Sequence, residues 1–273
     1  MSELKSAGLY VAELLAELQY KSDDLVSLRH PMAFGEVSGL QNVLQLCDAA
    51  AAVFEKISPQ QHWHGAELCG REWHGQFQGR QIRGVSVVRR GALGLQVEIY
   101  LGSFPLALRL ALKASSGNLI ASQNWSLPAG IDTSLAPFSA DEVLNAKLQF
   151  GLANDAMLTS PVACKPIRGA GDVERVCGHS IQVYGGRASG PRLTEGALTL
   201  SLWTGEVAGL ALEVANVIHW QDPQHVRVMA MAMRPWPVVE IFKARMQART
   251  LSFLDASYFE IEAQANELQF AEV

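Results

Sequence analysis

A few histidines and an arginine are the side chains of this 273-residue chain whose type and spacing could do chemistry. His62 and His64 form a His-x-His pair, and His74 follows in the same stretch. On a strand, alternate side chains share one face, so both rings of such a pair could reach a zinc ion. No Cys, Asp or second His pair stands at a matching spacing, and Trp63 and Trp73 are immediate neighbours. The reading taken is therefore a solvated or aromatic-packed segment, with no metal and no cofactor. His30 precedes Pro31 in a turn-like stretch. An unperturbed imidazole titrates near neutrality, where a general base works best; the plainer alternative is a partly exposed loop histidine. Arg234 could anchor an anionic group, or simply bond to a backbone carbonyl or a carboxylate. Met229, Met231 and Met233 share one face of a strand-like run. Such a stripe suits a core, or the adaptable apolar wall of a ligand site. The chain has no glycine-rich phosphate loop, no Gly-x-Ser-x-Gly and no His-Glu-x-x-His.

The elements that must position these residues are written twice. The spacing from Pro31 to Pro161 is the repeat offset. At the same offset, Ala33 meets Ala163, Gly39 meets Gly169, Val43 meets Val173 and Cys47 meets Cys177. Trp73 meets Trp203, Gly75 meets Gly205 and Gly79 meets Gly209. A period this long indicates duplicated domains, since solenoid repeats run to roughly 20–50 residues. The boundaries read as a first copy over 1–115, a linker over 116–137, a second copy over 138–250 and an extension over 251–273.

Within each copy the hydrophobic period changes from helical to strand-like after the second helix. Val11, Leu14, Leu15 and Leu18 make one face of a helix, and Leu144, Leu148 and Leu152 are its expected counterpart. A Pro-containing turn follows, then a second helix with Val43, Cys47, Ala50 and Phe54 on its face, or Val173, Val176, Cys177, Ser180, Ile181 and Tyr184. Beyond it the period becomes two, as in Leu95-Val97-Ile99-Leu101 and Leu198-Leu200-Leu202, which means half-buried antiparallel strands. Each last strand runs into a proline, Pro105 or Pro237, that starts another helix. These two prolines stand slightly further apart than Pro31 and Pro161, because the second copy has gained two residues. The hairpin at Asp222-Pro223 is where they fit.

Lys and Arg number 22 against 27 Asp and Glu, a net charge of −5 with no basic cluster, so the mean field does not attract nucleic acid. No apolar run reaches membrane-spanning length and the first residues do not resemble a signal peptide, so a cytoplasmic protein with no membrane partner is expected. Cys47 and Cys177 read as small buried hydrophobes.

Helix, Pro-containing turn, helix and curved antiparallel sheet, in that order, resemble the nuclear-transport-factor-2-like fold. Ser160-Pro161-Val162-Ala163-Cys164-Lys165-Pro166-Ile167-Arg168-Gly169 is similar to the ketosteroid isomerase run Asp-Pro-Val-Gly-Ser-Glu-Pro-Arg-Ser-Gly. Met233-Arg234-Pro235-Trp236 resembles the Arg-Pro ending of many SnoaL-like sequences. The resemblance implies an α+β protein of two tandem cone-shaped domains, each with N-terminal helices packed on a curved antiparallel sheet. It further implies a pseudo-dimer within one chain, which could pair again as a homodimer. The isomerase base position is held by Ser160 in the second copy and His30 in the first. The oxyanion-donor position is held by Asn216, with Ser86 opposite it. Both acids are thus absent from both copies. The expectation is a protein that binds a small apolar molecule in a cone-shaped pocket and has degenerate catalytic acids. Its catalytic positions are His30, Ser160 and Asn216, and its binding wall is Val162, Trp203, Met229, Met231, Met233 and Arg234. The alternative is a cofactor-independent isomerase or cyclase of the ketosteroid isomerase or polyketide cyclase type.

Overall fold

The change of hydrophobic period is the change from helix to sheet. A computed structural model describes residues 8–134, 148, 150–184 and 186–259. Helix α1 (Val11–Glu17) buries Val11, Leu14 and Leu15, three members of the expected stripe. Strand β1 (Leu25–Arg29) and the short β2 (Val37–Ser38) flank the Pro31 turn, and α2 (Leu40–Ala51) buries Val43, Cys47 and Ala50. Four antiparallel strands follow: β3 (Lys56–His64), β4 (Leu68–Phe77), β5 (Arg80–Gly91) and β6 (Gly94–Leu101); α3 (Leu106–Ser116) comes next.

The same order then recurs. Strands β7 (Gly151–Thr159) and β8 (Ile167–Arg168) lead to α4 (Ala170–Val183). After them come β9 (Arg187–Glu195), β10 (Leu198–Val207), β11 (Leu210–Trp220), β12 (His225–Arg234) and α5 (Trp236–Thr250). Two features depart from the hydrophobic pattern. Leu152 lies on β7, where a helix was expected, and Leu144 falls outside the described residues. The Pro turns also carry strands that no alternation announced. Their pairing partners are far along the chain: β1 lies parallel to β6 and β7 parallel to β12. A strand held by distant backbone does not need a strong local pattern.

The matched residues occupy matched places. Trp73 pairs with Gly84 across β4–β5, and Trp203 pairs with Val214 across β10–β11. Phe54 and Trp73 meet edge to face, as do Tyr184 and Trp203. A Cβ at Gly75 would lie 2.6 Å from the Phe54 ring, and one at Gly205 would lie 2.9 Å from Tyr184. Both glycines therefore leave room for an aromatic ring beneath the helix. Gln78-Gly79 and Ala208-Gly209 close two-residue hairpins with positive φ throughout (49°, 73°, 54° and 76°), the geometry whose twist matches the flanking strands. The two-residue gain sits at the β11–β12 hairpin, beside a register shift between His219 and Trp220.

The described strands form one sheet in the order β3-β4-β5-β6-β12-β11-β10-β9, with β6 and β12 meeting only at Leu101 and Met233. The fold is α+β, with helices on a large, mainly antiparallel sheet. One apolar cluster joins the helices to the sheet. A second holds Trp63, Val85, Val87 and Tyr100 from the first half against Leu200, Leu202 and Val217 from the second, so the two parts of the sheet share a core. No described helix is long and apolar enough to cross a membrane.

The segments after α3 and α5 also correspond, although their residues do not match. Asn124 O accepts from Phe34 N–H at 2.8 Å, within the 3-10 turn Ser122–Trp125. Tyr258 O accepts from Cys164 N–H at 2.7 Å, within Ala256–Tyr258. Phe34 and Cys164 are themselves partners at the repeat offset. Each segment thus straps the Pro turn of its own half.

Candidate functional site

The end of each Pro-turn strand meets the last strand of the other half, which makes two junctions. In the first, β1 delivers Arg29 and His30 beside β11 and β12. Arg29 Nη1 lies 2.9 Å from Glu213 Oε1, and Arg234 Nη2 bonds to the other oxygen of that carboxylate. Trp236 N–H donates to Pro31 O at 2.9 Å. Arg234 is 3% exposed and sits over the Tyr100 ring, whose hydroxyl donates to Glu98 at 2.7 Å. Arg89 also reaches Glu98, at 2.9 Å. Charge is closed on itself here: a carboxylate between two guanidiniums is a strong arrangement where water is scarce.

His30 belongs to this junction and is 1% exposed. Its Nδ1 accepts from Met32 N–H at 3.1 Å, so Nε2 carries the proton and is a donor. Nε2 has no hydrogen-bond partner among the described residues. Desolvation, with a smaller contribution from nearby Arg234, lowers its pKa to about 3. The imidazole is therefore neutral near pH 7. Its one basic nitrogen is occupied by the backbone, which leaves no lone pair to take a substrate proton.

The second junction is open. Thr159 stands at the end of β7 where Arg29 ends β1, and Arg83 on β5 stands where Glu213 stands on β11. Gly102 N–H donates to Arg83 O at 2.8 Å, the pairing that Arg234 and Glu213 have in register. So Gly102-Ser103 replaces Arg234-Pro235 and nothing fills the gap. The result is a pocket with a cavity volume of ≈ 60 Å³. That is room for about four or five waters. Phe104, Pro105, Pro161, Ala163 and Met231 give it apolar walls, and Ser160 and Cys164 add polar edges. Arg80, Arg83 and Lys165 line it as well, with no carboxylate and no histidine among the lining residues.

Arg83 is 8% exposed. Its Nε bonds to Glu72, while Nη1 and Nη2 have no partner among the described residues. Lys165 Nζ bonds to Ser257 Oγ at 2.6 Å and lies over the Tyr258 ring, which holds it at the pocket edge. Cys164 is partly exposed and its thiol donates to Ser257 O at 3.0 Å.

The residues singled out in the sequence are thus dispersed. Ser160 and Met231 come together in the open junction, with Ser160 Oγ accepting from Val162 N–H at 3.4 Å. Val162, Trp203, Met229 and Met233 are buried in the helix–sheet core. Asn216 pairs with Met231 across β11–β12, and its Oδ1 is buried without a partner among the described residues. His30 and Arg234 meet at the other junction. His62 Nε2 and His64 Nδ1 both face Glu17 Oε2, at 2.8 and 3.4 Å, while His74 Nδ1 pairs with Gln81. Among the described residues no three His, Cys, Asp or Glu side chains are grouped to hold a metal ion. Cys47, Cys69 and Cys177 are buried, and burial raises the thiol pKa of all three, for Cys69 and Cys177 to about 12.

Arg83, Glu213, Arg29 and Lys165 were not singled out. The signal was present as a charge reversal, Arg83 against Glu213, at the repeat offset.

No protein-family model matches the chain, and no curated protein does. Among solved structures, a steroid delta-isomerase from Pseudomonas aeruginosa is similar at 23% identity and a TM-score of 0.35, covering 37% of this chain and 76% of that one. An uncharacterized bacterial protein with a cystatin-like fold, from Silicibacter pomeroyi, is similar at 22% identity and a TM-score of 0.36, covering 40% of this chain and 77% of that one.

Proposed function

We propose that this chain is a tandem pair of nuclear-transport-factor-2-like domains that binds a small, largely apolar molecule without transforming it. The binding site is the open junction between the halves. The observation that carries this reading is the missing plug: Gly102-Ser103 leaves a pocket where Arg234-Pro235 fills the equivalent place. A concave, mostly apolar site with a few polar groups at its edge is the usual form of a small-molecule site. The expected cone interior of the second half carries buried Trp203, Met229 and Met233, which favours the junction over the cone.

Two features favour binding over isomerisation. The pocket lining has no carboxylate or histidine to act as a base beside Ser160, and a serine hydroxyl takes no proton unaided at neutral pH. His30, at the other base position, has its acceptor nitrogen engaged.

Titration with hexanol, read by calorimetry, tests the proposal. Wild type should bind it, and Ser103→Phe, which refills the junction, should abolish binding while the protein stays folded. Cys164 should be alkylated in the native protein more slowly when hexanol is present, with Cys47 and Cys177 unreacted throughout. No binding to wild type, or equal binding to Ser103→Phe, would end this reading.

A further inference from the structure

The two junctions share a backbone plan and differ in how charge is closed. In the first, Glu213 is held by Arg29 and Arg234. In the second, the equivalent position carries the opposite charge, Arg83, and the two clasping positions carry Thr159 and Gly102. The cation here is paired from the neighbouring strand, by Glu72, and neither clasping position supplies a carboxylate. Glu72 satisfies only the ε nitrogen. Two guanidinium nitrogens stay buried and unpaired among the described residues, on a side chain that lines a cavity of ≈ 60 Å³. Buried polar groups in native proteins are nearly always hydrogen-bonded, and an orphaned pair on a charged group marks a missing partner. Arg80 and Lys165 add positive charge to the same wall, with no acid among the lining residues.

A planar guanidinium with both η nitrogens free presents the fork that an oxyanion accepts through two parallel hydrogen bonds. We propose that the junction pocket recognises a small molecule bearing an oxyanion, carboxylate or phosphate. In this arrangement Arg83 Nη1 and Nη2 hold the oxyanion, and the apolar part of the molecule lies against Phe104, Pro161 and Met231. This rests on the reading of the junction as a small-molecule site and adds the chemical class of the ligand. The cavity volume sets the limit: it accommodates a head group and a short stem, with any longer chain running along the open mouth.

Hexanol, hexanoate and hexyl phosphate make the test, titrated calorimetrically into the full chain at low ionic strength. Wild type should bind one of the two anions at least about tenfold more tightly than hexanol, and the preferred anion distinguishes a carboxylate ligand from a phosphate one. Added salt should reduce that preference. Arg83→Gln should remove the preference and leave hexanol binding in place. Because that change leaves Glu72 without its partner, the paired variant Glu72→Gln with Arg83→Met should be measured alongside and should behave the same way. Wild type binding hexanol as tightly as both anions, or either folded variant keeping the anion preference, would overturn the oxyanion proposal while leaving the pocket as a neutral-ligand site. Failure of all three probes to bind wild type would overturn both.

Discussion

Burial takes the charge away from His30. In the sequence it is a histidine before a proline, free to titrate near neutrality. In the fold its ring is 1% exposed, its Nδ1 is taken by Met32 N–H, and its pKa lies at about 3. The sign of the consequence follows from linkage. The folded pKa is below the ordinary value of 6.5, so the unfolded chain binds a proton between these limits that the folded chain does not. Stability from this group is complete above about pH 6.5 and is lost as pH falls toward about 3. Urea unfolding at pH 6.5 and 4.5 should show wild type losing about 2 kcal/mol more than His30→Gln over that interval. Equal losses in the two proteins would mean that His30 is solvated. Arg83 shows the opposite kind of illegibility. Nothing in its own stretch of sequence distinguishes it from any strand arginine; its two unpartnered η nitrogens arise only where Gly102 and Thr159 are brought beside it.

At the scale of the element, the matched residues of the repeat turn out to be those on which packing is least forgiving. Gly39 and Gly169 precede the second helix of each half with φ of 93° and 90°, a backbone region that only glycine enters readily. Gly84, whose position in the second half holds Val214, is constrained for a different reason. A Cβ there would lie 2.1 Å from the indole of Trp73, which is fully buried against Phe54 and donates from Nε1 to Ser86 Oγ at 3.0 Å. The ring has nowhere to move without losing that bond. Gly84→Ala should therefore destabilise the protein by about 1–3 kcal/mol in denaturant unfolding, the range for overpacking a tight core. In the second half, Val214 is paired with Trp203, whose Nε1 has no partner among the described residues. A cost near zero for Gly84→Ala would show that the Trp73 packing is looser than this.

At the scale of the molecule, the two halves are joined by a core that neither could bury alone. Leu200 is fully buried, and its Cδ2 would lie 2.6 Å from a Cβ on Gly70, so the first half leaves out a side chain to admit it. Glu195 reaches across to bond to His64 N–H and Gln61 Nε2. Sheet faces that share a dry interior unfold together. Calorimetry should show one transition for the whole chain, and Leu200→Ala should lower the stability of that single transition by about 2–5 kcal/mol. Two separated transitions, with only one shifted by the substitution, would show the halves to be thermodynamically independent.

The sequence by itself determined most of the elements and their order, though not the helix expected through Leu152, because those depend on local period and on residues with special backbone or packing demands. The 3.6-residue stripes, the alternating strands, the Gly39/Gly169 and Gly79/Gly209 pairs and the Trp73/Trp203 pair could all be read along the chain. The strands at the Pro turns were less legible, since distant backbone on β6 and β12 holds them. The candidate site was legible only in part: Ser160 and Met231 could be named, while Arg83 and Lys165 could not. Tertiary structure decided this because a pocket is a property of the space between elements. The same Pro turn meets Arg234 at one junction and Gly102 at the other. Which of the two is filled depends on side chains far along the chain from the turn they face, and only close packing brings them there.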